Sequence, residues 1–450
     1  MVDWFCKWVT EQELICPGDR VAVALSGGAD SVCLLYLCHK LRERMSFSLS
    51  AAHVNHGLRE EAEAEAAFCR ELCEQWHIPF FEKKGCARQP GMSTEAAGRA
   101  LRYAFFDSLE QDKIALAHHK NDQAETVLMH LLRGCGGEGL SGMAMKRGKY
   151  IRPLLQVSRQ EIEDFCQKCG LQFCTDQSNF STEYTRNRLR LEVIPLLETI
   201  NPETVDALCR TAHLLEDDVK QLEEDVTEKW VFKPYEDGFF CNRKEFFRLS
   251  PSLQRRMIRK CWQALTGEKA DLWLEPVNRA LTLFSQGKTG KKVCLGKDIW
   301  AENSYEELLI GRESEVLSFC LPLSVGERVQ IPNTDLVFTA YIGSSQTEDD
   351  WIFDYNLIKS GINIRSRKNG DVFCLNGKHQ KLKKLFIDRK IPRRIRNRAV
   401  VAESNGTVIA VTGLGVAKEF RGKGDNCLIV TQERMSTNEF GSNGGKNTDY

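Results

Sequence analysis

The sequence predicts an α/β protein, in which a parallel sheet covered by helices is followed by a helical middle region and a small α+β region. Two observations predict the sheet. Short apolar runs alternate with amphipathic stretches over the first 210 residues or so, which is typical of strand–helix–strand repeats. Polar clusters follow three of these runs, at the ends where parallel sheets bind ligands. The predicted strands are residues 20–25, 48–55, 78–82 and 114–118, and the predicted helices are residues 30–44, 60–76, 93–111 and 121–133.

The rest of the chain is predicted to form two smaller regions and a tail. The middle region is largely helical in pattern, and the C-terminal region combines strand patterns at 372–375 and 407–412 with a basic helix at 379–390. The tail is polar and rich in Gly, Asn and Ser, so we expect it to be disordered. The predicted domains are an N-terminal α/β domain at 1–210, a helical domain at 211–320, a C-terminal domain at 351–432 and a disordered tail at 433–450.

Composition limits the classes of function. The 450 residues carry 62 Lys and Arg against 62 Asp and Glu, so any surface for nucleic acid must be local. No apolar run approaches the length of a membrane span, and the first fifteen residues have the pattern of an amphipathic helix rather than a signal peptide. Several of the 18 cysteines lie inside apolar patterns, which is typical of reduced, buried thiols. We therefore expect a cytoplasmic protein without a membrane partner.

One cysteine cluster has the spacing of metal ligands. Cys166 and Cys169 form a CxxC pair, and Cys174 follows closely. A zinc or iron–sulfur site would need a fourth ligand, and no second CxxC pair follows. We therefore favour packing of these cysteines along a helix and leave metal binding open.

The most informative segment is the turn after the first predicted strand, Ser26-Gly27-Gly28-Ala29-Asp30-Ser31. Two glycines allow backbone N–H groups to approach an anion closely, and the two serines add hydroxyl donors. The positive end of the following helix dipole points to the same place. No lysine follows the glycines, which excludes the Walker type of phosphate loop. The turn predicts a pyrophosphate site in which Asp30 binds Mg²⁺.

Two further segments supply polar side chains near that turn. His56 lies in the cluster HVNHGLR after the second strand, where it could contact the ligand of that turn or position a nucleotide. Arg99 and Arg102 share one face of a predicted helix, which suits a phosphate or a carboxylate, although a solvated, salt-bridged face would have the same spacing.

A pair of acids follows the fourth predicted strand. Asp122 and Glu125 lie one helical turn apart and share a face, so they could hold two amino groups or a metal ion. Capping of the helix start explains Asp122 equally well but Glu125 only in part. Further along the chain, Arg186 and Arg190 have the i,i+4 spacing that makes two side chains project together from a helix.

Near the C-terminus, residues 378–398 contain ten Lys and Arg but one acid, Asp388. Such a concentration in a neutral chain predicts contacts with nucleic-acid phosphates, in which the shape of the RNA rather than its sequence is recognised. The residues that we expect to make these contacts are Lys383, Lys384, Arg393 and Arg394.

The order of these segments resembles that in the tRNA(Ile)-lysidine synthetase family of the PP-loop, or N-type ATP pyrophosphatase, superfamily. The likeness covers roughly residues 20–195 and continues more weakly at 365–371 and 381–397. Asn121 departs from the family, which more often carries Asp there, but the pair Asp122 and Glu125 is intact. The matching segments are SGGADS, HVNHGLR, AHHKNDQAET, RGCGGEGLSGM, RPLL, DQSN and RNRLR.

The resemblance implies a cytoplasmic ligase that uses ATP and Mg²⁺. It would adenylate the wobble cytidine of tRNA(Ile) with the anticodon CAU and then attach L-lysine, releasing AMP and pyrophosphate. Residues 26–31 would bind ATP, and Asp122 and Glu125 would bind lysine. A homodimer stays open, as does the identity of the base that deprotonates lysine. The residues implied to be catalytic are Asp30, His56, Arg99 and Arg186.

Two alternatives remain from the sequence. The first is a tRNA thiolation enzyme of the same superfamily, which would use Cys166 and Cys169 as sulfur carriers or cluster ligands. The second is a non-catalytic RNA-binding protein with a degenerate ATP site. The intact segment Ser26–Ser31 argues against the second alternative.

Overall fold

A computed structural model of the chain shows two compact units, residues 1–224 and 225–450. Each unit has its own sheets and core. Among the described residues, no helix combines the length and the apolar character needed to cross a bilayer. The structure describes residues 1–55, 61–85, 94–174, 185–235, 237–268, 272–313, 318–332, 334–343, 350–358, 361–423 and 427–434.

The first unit is built on a six-stranded sheet, with the strand order β3-β2-β1-β4-β6-β5. Neighbouring strands run parallel except at the β5 edge, which is antiparallel. The strands are β1 Arg20–Ala24, β2 Ser48–Asn55, β3 Phe80–Lys84, β4 Lys113–Ala115, β5 Lys146–Arg147 and β6 Tyr150–Ile151. The predicted parallel sheet is confirmed, although β3 begins two residues late and β4 ends three residues early.

Helices flank this sheet, and the strand β1 shows why. Val21 and Val23 belong to the large core that includes helices α1 and α2, whereas Ala22 belongs to a second core with Phe106 and Ile114. Both faces of β1 are thus buried, as expected for a continuous apolar strand of a parallel sheet. The helices are α1 Val2–Glu11, α2 Ala29–Leu41, α3 Glu61–Gln75, α4 Thr94–Ser108, α5 Lys120–Leu132, α6 Gly137–Leu140, α7 Arg159–Cys169, α8 Thr185–Arg188, α9 Ile194–Ile200 and α10 Thr204–Glu228, with a π-helical turn at Leu189–Val193.

The middle region combines helices with a five-stranded antiparallel sheet, which the sequence analysis did not predict. Its strands are three to six residues long, so the longer amphipathic helices dominate the sequence pattern. The predicted boundary at residue 210 falls inside α10, and the domain boundaries stay predictions. The elements are β7 Lys233–Tyr235, β8 Gly238–Asn242, α11 Arg243–Phe247, α12 Pro251–Thr266, α13 Leu274–Gln286, β9 Lys292–Gly296, β10 Ile299–Ser304 and β11 Glu307–Gly311.

The C-terminal region contains two further sheets. One has the order β12-β16-β19-β20-β17-β18, with β21 paired to β20, and the other has the order β13-β14-β22-β15. Phe338, Phe353 and Ile364 lie in the core that these sheets share. The elements are β12 Cys320–Leu323, β13 Arg328–Gln330, β14 Leu336–Gly343, β15 Trp351–Asp354, β16 Ile362–Ser366, β17 Val372–Leu375, β18 Lys378–Lys381, α14 Leu382–Asp388, α15 Arg393–Asn397, β19 Val400–Ser404, β20 Thr407–Val411, β21 Gly415–Val416 and β22 Cys427–Arg434, with short 3₁₀ turns at Tyr355–Leu357 and Lys418–Phe420.

Two C-terminal predictions need correction. The basic helix begins at Leu382 rather than at residue 379, because Lys378–Lys381 forms a strand of a hairpin with β17. Asn376 and Gly377 connect the two strands with φ values of 51° and 79°. Positive φ at both central residues is typical of two-residue hairpin turns. The predicted disordered tail is wrong for residues 433 and 434, which belong to β22, and its residues 435–450 lie outside the described residues.

Candidate active site

The phosphate turn lies between β1 and α2, as predicted. Gly27 has a φ of +88°, and a Cβ atom there would lie 3.4 Å from the Cys69 sulfur, so glycine fits this position best. The Ser31 hydroxyl accepts the Ser26 N–H at 3.1 Å and donates to the Gly28 carbonyl at 2.9 Å. Ser31 is thus buried and braces the turn, while Ser26 is exposed. Because the first N–H groups of α2 lack partners within the helix, they are available to an anion.

This turn opens into a cavity of about 1100 Å³ at the carboxyl ends of β1, β2 and β4. The cavity is large enough for a nucleotide and a second substrate. Acidic, basic and imidazole side chains all contribute to its wall. The residues that matter for the chemistry are Ser26, Gly28, Asp30, Arg102, His118 and Arg190.

Asp30 presents a carboxylate to this cavity. No described residue donates a hydrogen bond to it, and the His119 Nε2 atom lies 3.7 Å from its Oδ2 atom. Burial raises the pKa of Asp30, although His119 opposes that effect. A part-buried carboxylate beside a phosphate turn has the oxygen chemistry that Mg²⁺ prefers. Asp30 therefore fits the predicted role of magnesium ligand.

His119 connects Asp30 to Asp122, a link that the sequence analysis missed. The Asp122 N–H donates to the His119 Nδ1 atom at 3.4 Å, which leaves the Nε2 atom facing the two carboxylates. That Nε2 atom lies 3.7 Å from Asp30 Oδ2 and 3.5 Å from Asp122 Oδ2. His119 also caps α5 and is almost fully buried. The sequence signal that could have indicated this contact is a His three residues before an Asp at the start of a helix.

The acid pair on α5 is neutralised by two arginines. Glu125 is fully buried and accepts from Arg186 Nε and Arg190 Nε, each at 2.6 Å. The Asp122 Oδ1 atom accepts from the terminal nitrogens of the same arginines at 3.0 and 3.2 Å. Burial opposes the ionisation of Asp122, but His119 and Arg186 outweigh it and lower its pKa. Arg186 and Arg190 therefore project together, as their spacing predicted.

This geometry bears on the predicted lysine site. Both carboxylate oxygens of Glu125 already contact guanidinium groups, and the side chain has no exposed surface. This arrangement does not favour a direct contact between Glu125 and a bound lysine, and the lysine site stays a prediction. Asp122 keeps little exposure and serves the same two arginines. The acids act as anchors that fix two cations, one of which, Arg190, lines the cavity.

Other predicted residues are placed less centrally. Arg99 lies over the ring of Tyr103, 5.5 Å from its centroid, whereas Arg102 lines the cavity, so the structure favours Arg102 over Arg99. His56 lies outside the described residues. His118 lines the cavity, and burial lowers its pKa to about 4, so it is neutral near pH 7. No described residue hydrogen-bonds its Nδ1 atom.

The three cysteines of the ligand-like cluster do not gather. Cys166 is buried and hydrogen-bonds the Cys33 thiol, while Cys169 is exposed. The Cys174 N–H donates to the Gly27 carbonyl at 2.9 Å, which supports the phosphate turn. In the part of the chain that the structure describes, none of them joins a group of three metal ligands. The interpretation as packing cysteines is therefore supported.

The basic segment 378–398 divides into two sets of cations. Arg394 forms an ion pair with Glu307 at 3.0 Å and lies over the Phe240 ring, and Arg398 pairs with Asp237 at 2.7 Å. Arg396 hydrogen-bonds the Tyr305 hydroxyl. The prediction of Arg394 as a phosphate contact therefore lacks support. The exposed cations, which make no ion pair with a described residue, are Lys378, Lys381, Lys383, Lys384, Arg389, Lys390 and Arg393.

Comparison with known proteins identifies the family to which the chain belongs. A family described as PP-loop domain matches residues 7–197, and one described as TilS substrate C-terminal domain matches residues 362–432. A tRNA(Ile)-lysidine synthase of Clostridium perfringens is 35% identical over 446 residues, covering 92% of this chain and 95% of the relative. A second, from Geobacter sulfurreducens, is 36% identical, with 86% of this chain and 87% of the relative covered. A third, from Clostridium tetani, is 31% identical and covers 98% of this chain and its own full length. Relatives above 30% identity thus span nearly the whole chain, which belongs to the tRNA(Ile)-lysidine synthase family.

Proposed function

We propose that this chain is a cytoplasmic ligase that joins L-lysine to C2 of the wobble cytidine of tRNA(Ile) with the anticodon CAU. ATP is consumed, and AMP and pyrophosphate are released. The observation that carries the proposal is the meeting, in one cavity, of a phosphate turn, fixed cations and the carboxylate of Asp30, to which no described residue donates a hydrogen bond. These are the groups that activation of a base by ATP needs.

The first step is adenylation of the cytidine. The backbone of residues 26–28 and the start of α2 hold the phosphates of ATP, and Arg102 and Arg190 add positive charge to the cavity wall. Asp30 holds Mg²⁺, which neutralises phosphate charge when bound. The O2 atom of cytidine bonds to the α-phosphorus as the bond to the β-phosphate oxygen breaks, and pyrophosphate leaves. The poor leaving oxygen at C2 thereby becomes a good one.

The second step is attack by lysine. Its ε-amine, in the neutral form, bonds to C2, and AMP departs with the O2 atom. His118 is neutral near pH 7 and lines the cavity, so its ring can hydrogen-bond the entering amine without repelling it. Arg190 offers a guanidinium to the lysine carboxylate or to the phosphate of the adenylated base.

Asp122 and Glu125 support these steps indirectly. They hold Arg186 and Arg190 through five charge-assisted hydrogen bonds of 2.6–3.3 Å. Through His119, Asp122 also lies beside Asp30. We place the acids as positioning residues for the cations and for the magnesium ligand.

The tRNA backbone binds the exposed cations of the C-terminal region. Lys383 and Lys384 lie on the exposed face of α14, while Leu382, Leu385 and Phe386 pack against the sheet. This arrangement leaves the ammonium groups free for phosphates, whose recognition depends on charge and shape.

The test is mass analysis of a tRNA(Ile) transcript after incubation with the full chain, ATP, Mg²⁺ and isotopically labelled lysine. We expect label in the RNA at the anticodon nucleotide, with one AMP and one pyrophosphate per lysine. A matched transcript with uridine at the wobble position should stay unmodified. RNA that gains no lysine, or that gains sulfur from an added sulfide donor instead, would contradict the proposal.

A further inference from the structure

A hairpin in the C-terminal region brings three metal-ligating side chains together. Cys374 on β17 lies directly opposite His379 on β18, and Glu419 belongs to the 3₁₀ turn Lys418–Phe420. Opposite residues of an antiparallel pair have Cβ atoms about 4.5–5.5 Å apart, so both side chains lie on one face of the hairpin. Cys374 is buried, and His379 and Glu419 are exposed.

The distances among these groups suit a shared ion. The Cys374 thiol donates to the Glu419 Oε1 atom at 3.2 Å, and the His379 Nε2 atom lies 3.9 Å from the same oxygen. One ligand atom from each residue lies within 4.8 Å of the other two. Bonds of about 2.0–2.3 Å to a tetrahedral ion place ligand atoms about 3.5 Å apart, so small side-chain movements suffice.

The chemistry of the set selects the metal. A thiolate, an imidazole and a carboxylate together suit a borderline-soft divalent ion, whereas Mg²⁺ and Ca²⁺ prefer oxygen ligands. Among the described residues, this is the one group of three such ligand atoms. The thiol proton that Cys374 donates to Glu419 would be released as the metal binds.

We propose that Cys374, His379 and Glu419 bind one zinc ion, with water as the fourth ligand. The ion ties the hairpin to the turn at Lys418–Phe420. It thereby fixes β18, which carries Lys378 and Lys381, at the start of the basic segment. With one position open to water, the site differs from a closed four-ligand zinc site, and none of the steps proposed above uses it.

The test uses Co²⁺ as a spectroscopic probe on the full chain after removal of bound metal. We expect one equivalent of Co²⁺ to give tetrahedral d–d bands and a thiolate charge-transfer band, and Zn²⁺ to displace it. Cys374→Ser should abolish the charge-transfer band, and His379→Gln should weaken binding by at least about tenfold. Cys320→Ser and His213→Gln change an exposed cysteine and an exposed histidine elsewhere, and should leave the spectrum unchanged.

A second readout does not depend on colour. Zn²⁺ should slow alkylation of Cys374 in the wild type, measured by peptide mass spectrometry, and should not do so in His379→Gln. Because His379 is exposed, its replacement leaves the core intact. Equal Co²⁺ spectra in wild type, Cys374→Ser and His379→Gln, or the absence of tetrahedral binding in the wild type, would overturn the proposal. Neither readout involves tRNA or ATP, so failure here is distinct from failure of the ligase function.

Discussion

The cavity of the first unit and the basic segment of the second both contain many charged side chains. The two regions differ in which of these side chains are neutralised by ion pairs and which are available to a ligand. In the cavity, Asp122 and Glu125 are balanced by two arginines, and Asp30 is left without a hydrogen-bond donor among the described residues. In the basic segment, Arg394 turns inward to Glu307, and the lysines of α14 face solvent. Residue type and spacing thus show where charge collects, whereas the fold decides which charges are free for a ligand.

The largest effect is expected from Asp30→Asn, which removes the available carboxylate of the cavity. Pyrophosphate release should fall at least about 1000-fold, because a lost magnesium ligand costs several kcal/mol of transition-state stabilisation. The thermal midpoint should hardly change, since the ion-pair contact of Asp30 with a described residue, His119, is as long as 3.7 Å. Pyrophosphate release near the wild-type rate by a folded variant would show that Asp30 does not hold the metal.

Glu125→Gln tests the neutralised charges of the same cavity. It should lower the free energy of unfolding by about 2–4 kcal/mol, because two guanidinium groups lose a buried partner. The matched control is Glu11→Gln, which breaks an exposed ion pair with Lys7 and should cost less than about 1 kcal/mol. Urea denaturation measures both. Equal losses for the two variants would mean that the Glu125 cluster does not stabilise the fold.

The basic segment allows the complementary comparison. Lys383→Glu with Lys384→Glu should weaken tRNA binding and reduce the log–log salt slope by about one unit per lost phosphate contact. The melting temperature should stay unchanged, since both lysines are exposed. Arg394→Glu should instead lower the melting temperature, because it places like charge beside Glu307. Unchanged tRNA affinity in the double lysine variant would show that this face is exposed to solvent and does not contact tRNA.

His118 offers the smallest effect, through pH. Its folded pKa is about 4, below the ordinary value of 6.5, because burial disfavours the charged ring. Between about pH 6.5 and pH 4, the unfolded chain therefore binds a proton at His118 that the folded chain does not. The folded state loses stability relative to the unfolded state as pH falls through this range. His118→Gln should reduce that loss by about 1–2 kcal/mol, and His213→Gln should not. Identical pH profiles of unfolding for wild type and His118→Gln would refute the assignment.

Local signals in the sequence were enough for much of the fold and for the phosphate turn. The apolar run before Ser26 and the periodic pattern after Asp30 predicted β1 and α2, because strand, turn and helix are consecutive there. The middle sheet was missed because its short strands leave little alternation beside the longer helices. The strand Lys378–Lys381 was taken for helix because its turn, Asn376-Gly377, was not used as a hairpin signal.

The site depended more on contacts between distant residues. Glu125 and Arg190 are 65 positions apart, so no local spacing could show that the acid is already neutralised. The choice between Arg99 and Arg102 depends on how α4 is rotated toward the cavity. Their i,i+3 spacing places them on one helix face but does not determine which of them reaches the cavity. The role of His119 required the end of β4 and the start of α2 to be neighbours in space.

The most direct test of the central claim, that the acids of α5 serve cations of the protein rather than the substrate lysine, uses Asp122→Asn. Pyrophosphate release and lysine incorporation into tRNA should be measured side by side over a wide range of lysine concentration. Our account predicts that both fall together and that excess lysine restores neither, because Arg186 and Arg190 lose part of their anchor. Accumulation of adenylated tRNA at low lysine concentration, with lysine incorporation fully restored at high concentration, would contradict it. That result would mean that Asp122 contacts the substrate lysine.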